Sequence, residues 1–110
     1  MNCIFCKIVS GEIPANLVKS GDDYVSFRDL NPQAPTHILI IPKQHYSALP
    51  DVRETNLLGS LFQAAGEIAA EQGLDKGFRL VVNTGPDGGQ TVFHLHIHLL
   101  GGRSMHWPPG

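Results

Sequence analysis

The chain of 110 residues is long enough for one domain with a modest core and too short for two. Hydrophobic residues make up 42% of it and charged residues 16%, which excludes the polar composition of a disordered chain. Eight Lys and Arg against ten Asp and Glu give a net charge of −2, so no overall positive field attracts nucleic acid or an anionic membrane. We therefore expect a single domain over residues 1–110 with no nucleic-acid or membrane partner.

Targeting signals are not evident along the chain. The longest apolar runs, such as residues 38–41, are far shorter than the roughly 20 residues that cross a bilayer. Lys7 and Glu12 interrupt the N-terminal stretch, which therefore lacks the layout of a secretory signal. These features predict a cytoplasmic protein.

The first predicted elements follow from the spacing of apolar residues. Residues 4–9 fit either a short helical turn or an irregular apolar plug. Leu17–Lys19 and Tyr24–Arg28 are β-prone runs, and the turn-forming residues 20–23 between them predict a hairpin. The branched apolar run His37–Ile41 predicts a strand buried on both faces.

The second half of the chain changes period. From Asp51 to Gln72 apolar residues recur at helical spacing, and Gly73 is placed to end this helix. Phe78–Asn83 and Val92–Leu100 then predict two more strands. Three strands, a helix and two strands with short connections predict an α+β fold: an antiparallel five-stranded sheet with one long helix.

The last predicted strand carries three histidines, His94, His96 and His98, which alternate with apolar residues. Since side chains alternate between the faces of a strand, the imidazoles would share one face. A solvent-facing strand whose polar residues happen to be histidines is the alternative. The apolar residues that would point into the core are Phe93, Leu95, Ile97 and Leu99.

A glycine-rich loop over residues 84–90 leads into this strand. Its glycines and the side chains of Gln90 and Thr91 could form a phosphate nest, and a plain tight turn is the alternative. His37 on another strand could add a fourth imidazole. Neutral imidazole can attack phosphorus near pH 7, and a second, protonated imidazole can stabilise phosphoryl charge. This combination favours phosphorus chemistry.

These motifs resemble the histidine-triad (HIT) family, and within it the Hint branch. The resemblance covers essentially the whole chain, including the segments Asp29–His37, Asp87–Gln90 and Gly101–Gly110. It implies a HIT-like fold and a homodimer whose two sheets join. It also implies a purine nucleoside phosphoramidase, which cleaves the P–N bond of adenosine 5′-phosphoramidate-like substrates to AMP and an amine through a covalent nucleotidyl-histidine.

The resemblance assigns roles to individual residues. His96 would be the nucleophile, with its Nδ1–H oriented by a backbone carbonyl near His94, while His94, His98 and His37 complete the catalytic imidazoles. Asp29 would hold the ribose hydroxyls, although it could instead cap a turn. The other nucleotide-binding residues would be Asn83, Gly89, Gln90, Thr91, Phe5, Ile8, Ile13, Phe27, Leu30 and Trp107, the last of which reaches toward the neighbouring subunit's site.

Two positions depart from the Hint pattern. Arg28 stands where Hint chains often carry His, beside Asp29, which predicts a shifted base or ribose preference. Thr91 stands where Ser is common, and its hydroxyl remains a donor while the extra methyl group restricts χ1.

A Cys-x2-Cys pair, Cys3 and Cys6, offers half of a tetrahedral zinc site. The resemblance to some bacterial members implies that His45 and His94 complete a structural zinc site, and reduced thiols are the alternative. No cofactor is expected for catalysis itself.

Two other functions fit the same residues. In a zinc-dependent hydrolase, the triad histidines would be metal ligands that activate water, and chelation would abolish turnover. In a nucleotide-binding scaffold protein, AMP would bind without significant turnover.

Overall fold

A computed structural model describes residues 2–110 and contains an antiparallel sheet and two α-helices. The strands pair in the spatial order β1-β2-β3-β5-β4, and every neighbouring pair is antiparallel. The predicted α+β class with a five-stranded antiparallel sheet is confirmed. The elements in chain order are α1 (Ile4–Ser10), β1 (Leu17–Ser20), β2 (Tyr24–Arg28), β3 (Thr36–Pro42), a 3-10 turn (Leu49–Asp51), α2 (Thr55–Glu71), β4 (Phe78–Val81) and β5 (Ile97–Gly101).

The sheet separates two apolar clusters because alternate side chains of its central strands face opposite sides. Strand β3 supplies Ile38 and Ile40 to the side covered by α2, and Leu39 and Ile41 to the side covered by α1. The first cluster is larger and includes most of the buried side chains of α2. The predicted burial of β3 on both faces is therefore confirmed.

The N-terminal segment is helical, which decides between the two alternatives for residues 4–9. The Cys3 thiol caps α1 by accepting a hydrogen bond from the Cys6 N–H. Gly11 ends the helix with φ +83°, a left-handed conformation that glycine adopts without strain. Cys3 and Cys6 thus lie at the start of this helix and in its first turn.

Helix α2 begins later than predicted, at Thr55 rather than Asp51, because Leu49–Asp51 forms a 3-10 turn and Val52 is extended. It ends at Glu71, close to the predicted position, and Gly73 follows with φ +73°. None of the helices among residues 2–110 has both the length and the apolarity that a membrane span requires.

Strand β5 is shorter than predicted and begins at Ile97 rather than Val92. Residues 92–96 lie outside the hydrogen-bonded ladder, where the Leu95 N–H donates instead to the Tyr46 carbonyl at 2.7 Å. The expected burial of Phe93 is wrong, since this side chain is 57% exposed, whereas Leu95, Ile97 and Leu99 are buried. Strand β4 likewise ends at Val81, before the predicted Asn83.

Candidate functional site

A cavity of about 440 Å³ opens on the α1 side of the sheet. Its walls come from α1, from β2 and β3, and from the two segments that precede β3 and β5. The walls are apolar toward α1 and carry imidazoles and a carboxylate toward β3 and β5. The predicted site residues that line it are Phe5, Ile8, Ile13, Phe27, Asp29, Leu30, His37, Thr91, His96 and His98.

His96 lies in the cavity wall with its ring orientation fixed by one hydrogen bond. Its Nδ1 is 2.7 Å from the His94 carbonyl oxygen, which can only accept, so Nδ1 carries the proton. Burial lowers the pKa of His96, so the ring is neutral at pH 7 and Nε2 holds a free lone pair. The edge-on ring of Phe5, 5.2 Å away, covers one side of the imidazole. This ring is therefore prepared for nucleophilic attack.

A second pair of imidazoles, His37 and His98, lies beside His96. The Gln33 N–H donates to His37 Nδ1 at 3.0 Å, so the proton of the neutral His37 ring is on Nε2. This Nε2 is 2.9 Å from His98 Nδ1, which therefore accepts, and the His98 proton is on Nε2. The rings of His96 and His98 are 4.9 Å apart, so one backbone N–H orients two rings next to His96.

The charge of these rings depends on their burial. Burial is the main cause that lowers the pKa of His37, and burial together with the neighbouring imidazoles lowers the pKa of His98 to about 4. These lowered pKa values favour neutral rings in the free protein, because burial disfavours the charged form, and the protonated imidazole beside a phosphoryl group stays a prediction for the ligand-bound protein. A bound phosphoryl group would supply negative charge and raise these pKa values.

Asp29 combines its two predicted interpretations. One carboxylate oxygen accepts the Asn31 N–H at 2.8 Å, which is the turn-capping contact. The other oxygen lies 3.4 Å from His37 Nε2. The carboxylate therefore lines the cavity beside the imidazole pair, with acceptor positions still available for hydroxyl donors.

The glycine-rich loop does not form the expected phosphate nest. The Gly89 N–H donates to the Pro86 carbonyl and the Gln90 N–H to the Gly85 carbonyl, so both are used inside the turn. The buried Gln90 amide donates to the Ser47 and Val92 carbonyls at 2.7 and 3.1 Å. Neither residue lines the cavity, and Gln90 instead connects this loop to residue 47.

Three further predicted residues, Asn83, His94 and Trp107, lie outside the cavity lining. The Trp107 side chain is 82% exposed on the C-terminal tail. The His94 ring is fully buried in a cluster of cysteine and histidine side chains, and only its carbonyl serves His96.

The Arg28 guanidinium contacts the C-terminal end of α2. The residue lies on the α2 side of β2, opposite Ile38, and its guanidinium donates to the Gln72 side chain at 3.0 Å. Arg28 also contributes to the cavity edge, and its influence on base or ribose preference stays a prediction.

Several lining residues were missed by the sequence analysis. Strand register could have found Leu39, which pairs with both Phe27 and His98 and shares their face. The others lie in irregular segments or on the open side of α1, where no periodicity marks them. The missed residues are Ile4, Pro14, Ala15, Asn16, Asn31, Gln33, Leu39 and Val92.

The predicted metal residues converge at the N-terminal end of α1. The ligand atoms of Cys3, Cys6, His45 and His94 all lie within 4.8 Å of one another. His94 Nδ1 is 3.3 Å from the Cys3 sulfur, 3.6 Å from the Cys6 sulfur and 3.2 Å from His45 Nδ1. A tetrahedral zinc with ordinary bond lengths requires N–S separations of about 3.6 Å and an N–N separation of about 3.3 Å.

The protonation of His94 also fits metal binding. Its Nε2 is 2.9 Å from the Pro42 carbonyl oxygen and must donate, which leaves the Nδ1 lone pair directed at the cluster. Asp29, His37 and His98 form a second group with metal-ligand spacing. There the Gln33 N–H already occupies His37 Nδ1, so the nitrogen that faces the group carries the proton. The first cluster suits a metal and the second suits a hydrogen-bond chain.

The side chains of the three triad histidines do not converge on one point. The His94 ring faces the cysteines, whereas His96 and His98 line the cavity. The alternative in which all three triad histidines are ligands of one catalytic metal ion is therefore wrong.

Comparisons with known proteins agree with this architecture. A family model for the HIT domain matches residues 10–105. A HIT-like protein of Synechococcus elongatus is 56% identical over 97% of this chain and 96% of its own. A "14 kDa zinc-binding protein" of Zea mays is 50% identical over 97% of this chain and 87% of its own.

Two further proteins extend the comparison. A protein of Arabidopsis thaliana named adenylylsulfatase HINT1 is 47% identical over 97% of this chain and 76% of its own. The crystal structure of a HIT family hydrolase from Legionella pneumophila superposes with a TM-score of 0.96 at 51% identity, covering 99% of this chain and 100% of that one. The chain therefore belongs to the HIT domain family.

Proposed function

We propose that the protein is a purine nucleoside phosphoramidase that releases AMP and an amine from adenosine 5′-phosphoramidate-like substrates. The observation that carries this proposal is the neutral His96 ring. Its Nδ1–H is held by the His94 carbonyl, and its Nε2 is unprotonated in the wall of a cavity of about 440 Å³. A cavity of this volume is within the usual range for small-molecule sites.

The reaction would proceed in two displacements at phosphorus. His96 Nε2 attacks the phosphorus of the substrate, a P–Nε2 bond forms, and the P–N bond to the amine breaks as that nitrogen gains a proton. Water then attacks the phosphorus, loses a proton, and displaces Nε2 to give AMP. His98 Nε2–H and the Thr91 hydroxyl are the neutral donors placed to serve the phosphoryl oxygens and the leaving nitrogen.

The nucleoside would occupy the apolar part of the cavity. Phe5, Phe27 and Ile8 offer flat and branched apolar surfaces for a purine base. The Asp29 carboxylate lines the same cavity, with one oxygen 3.4 Å from His37 Nε2, and would accept hydrogen bonds from the ribose hydroxyls.

The relatives support a hydrolase, and one of them bears on the leaving group. An adenylyl sulfate carries the AMP phosphorus bonded to a sulfate oxygen, so the same attack by His96 would release sulfate instead of an amine. The name adenylylsulfatase HINT1 belongs to the Arabidopsis relative. We therefore include both bond types in the test.

The test is rapid mixing of the protein with adenosine 5′-phosphoramidate or adenylyl sulfate, followed by a quench in alkaline denaturant, which preserves a P–N bond to imidazole, and peptide mass spectrometry. We expect an AMP adduct on the peptide that contains His96 and faster turnover of the phosphoramidate. His96→Asn should bind AMP and lose nearly all turnover. An adduct on another residue, near-normal turnover of His96→Asn, or AMP binding without cleavage of either substrate would contradict the proposal; the last result would favour the scaffold alternative.

We also propose a structural zinc ion held by Cys3, Cys6, His45 and His94, on the separations and protonation described above. When bound, this ion would crosslink α1 to the segment before β5. Protein purified without added zinc should contain about one equivalent of the metal, and Cys6→Ser should contain much less and unfold at a lower temperature. Less than about a tenth of an equivalent in the wild-type protein would reject the site.

A homodimer is the assembly we propose. Strand β4 is an edge of the sheet, and its first residue, Phe78, is 44% exposed. Pairing of two β4 edges would satisfy their free backbone groups and join the two sheets. The exposed Trp107 would then be available to the cavity of the partner chain.

A further inference from the structure

The loop between β2 and β3 fixes the protonation pattern of the site through one backbone group. The Gln33 N–H donates to His37 Nδ1, which forces the His37 proton onto Nε2 and makes His98 Nδ1 an acceptor. If this N–H moved away, either nitrogen of His37 could carry the proton. The His98 proton could then shift to Nδ1 and would no longer be presented at Nε2.

Gln33 itself is exposed and lies in a segment without regular structure. Its own side chain makes only a local contact, to the Asn31 carbonyl at 3.1 Å. A contact from a distant part of the chain is made by Arg103, whose Nε–H donates to the Gln33 carbonyl at 3.1 Å. Arg103 follows β5 and is separated from Gln33 by 70 positions.

The geometry around Arg103 is suited to holding this loop. Its Nη1 donates to the Ser104 carbonyl at 3.0 Å, so two N–H groups of one planar guanidinium are engaged. The neighbouring Gly102 lets Pro35 approach closely, since a Cβ at this glycine would lie 2.9 Å from the Pro35 side chain. The segment after β5 therefore contacts the loop at two points.

We propose that Arg103 is a positioning residue, which holds the Gln33 loop and thereby fixes the tautomers of His37 and His98. It acts through the loop and does not line the cavity. The titratable groups that face the imidazole pair are the Asp29 carboxylate, 3.4 Å from His37 Nε2, and the neutral ring of His96, and the Arg103 contacts are to the Gln33 and Ser104 carbonyls instead.

The test uses three full-length variants. Arg103→Gln removes the Nε–H contact. Arg103→Lys keeps the positive charge but has no donor at the Nε position. Arg53→Gln is the control, because Arg53 is exposed and lies just before the N-terminal end of α2. The contact between this helix and β2, from Arg28 to Gln72, lies at the other end of the helix.

The primary measurement is the ¹⁵N chemical shift of the His37 and His98 ring nitrogens, which distinguishes protonated from unprotonated positions and requires no turnover. We expect Nε2-protonated rings in the wild-type protein and in Arg53→Gln, and averaged shifts in both Arg103 variants. Unchanged shifts in Arg103→Gln, or full restoration by Arg103→Lys, would overturn the proposal.

A kinetic measurement rests on the proposed phosphoramidase function. For both Arg103 variants we expect kcat to fall by about fivefold, the effect of one lost hydrogen bond, with little change in KM. An unchanged kcat in Arg103→Gln would contradict the positioning role. If the wild-type protein cleaves neither substrate, the proposed function fails, and the chemical shifts still decide the role of Arg103.

Discussion

Single hydrogen bonds from the rings of His94 and His96 to backbone carbonyls determine which ring nitrogen of each residue is unprotonated. His96 donates from Nδ1 to a carbonyl and keeps a free Nε2, whereas His94 donates from Nε2 and keeps a free Nδ1. One free nitrogen lies in the cavity wall and the other faces two thiols. Identical side chains two positions apart thus suit nucleophilic attack in one case and metal binding in the other.

The buried imidazoles predict that stability depends on pH. The pKa of His98 is lowered from 6.5 to about 4, so the unfolded chain binds this proton more readily than the folded one. The stabilising effect is complete above pH 6.5 and is lost as the pH falls toward 4. One proton changes the free energy of unfolding by at most about 1.4 kcal/mol per pH unit, and the partial exposure of His98 reduces this.

We expect His98→Asn to lose less stability than the wild-type protein between pH 6.5 and 4, measured by urea unfolding of both proteins in the same buffers. Parallel curves for the wild-type protein and His98→Asn would show that His98 is not the titrating group.

At the scale of elements, alternation predicted which side chains are buried better than it predicted the strand. Leu95, Ile97 and Leu99 are buried as expected, yet the ladder between β3 and β5 ends at the pair Ile40 and Ile97. Alternation follows from an extended backbone, while a strand also requires hydrogen bonds to a neighbouring strand. The local sequence does not show where that neighbouring strand ends. The sequence therefore predicted the fold class and most of the cavity wall, but not the end of the strand.

Residues with polar side chains were harder to place, because a pattern does not show which partner a donor will choose. Gln90 was predicted to contact phosphate and instead donates to two carbonyls, one of which belongs to Ser47. Arg28 lies beside Asp29 at the cavity edge, but its guanidinium donates to the Gln72 side chain, a partner that the sequence pattern did not indicate. Such partners are set by tertiary contacts that are distant in sequence.

The loop of residues 84–90 gives a prediction at the element scale. A Cβ at Gly88 would lie 2.3 Å from the Thr84 carbonyl oxygen, so the turn must open in Gly88→Ala. We expect a loss of about 1–3 kcal/mol in the free energy of unfolding, and lower turnover because Gln90 ties this loop to the segment before β5. Asp87→Ala, at an exposed position of the same turn, should unfold as the wild-type protein does. Equal stability of the two variants would exclude this steric constraint.

In the whole molecule, the larger apolar cluster and the candidate functional site lie on opposite sides of the sheet. The α2 side holds the larger apolar cluster, and the α1 side holds the cavity and the cysteine and histidine cluster. His94 belongs to both features on the α1 side, through its ring and its carbonyl. The unpaired backbone edge of β4 and the exposed Trp107 side chain are the physical basis for the proposed dimer.

The dimer predicts that each cavity is completed by the tail of the other chain, and mixed dimers can test this. In a dimer of one His96→Asn chain and one Trp107→Ala chain, the cavity that keeps His96 receives an intact Trp107 from its partner. We expect such mixed dimers, isolated with two affinity tags, to turn over at about half the wild-type rate per dimer, because one of two sites is complete. Homodimers of His96→Asn should be inactive and those of Trp107→Ala impaired, since the exposed indole would contact substrate only across the interface. Mixed dimers no faster than the average of the two homodimers, or a monomeric wild-type protein, would contradict the shared site.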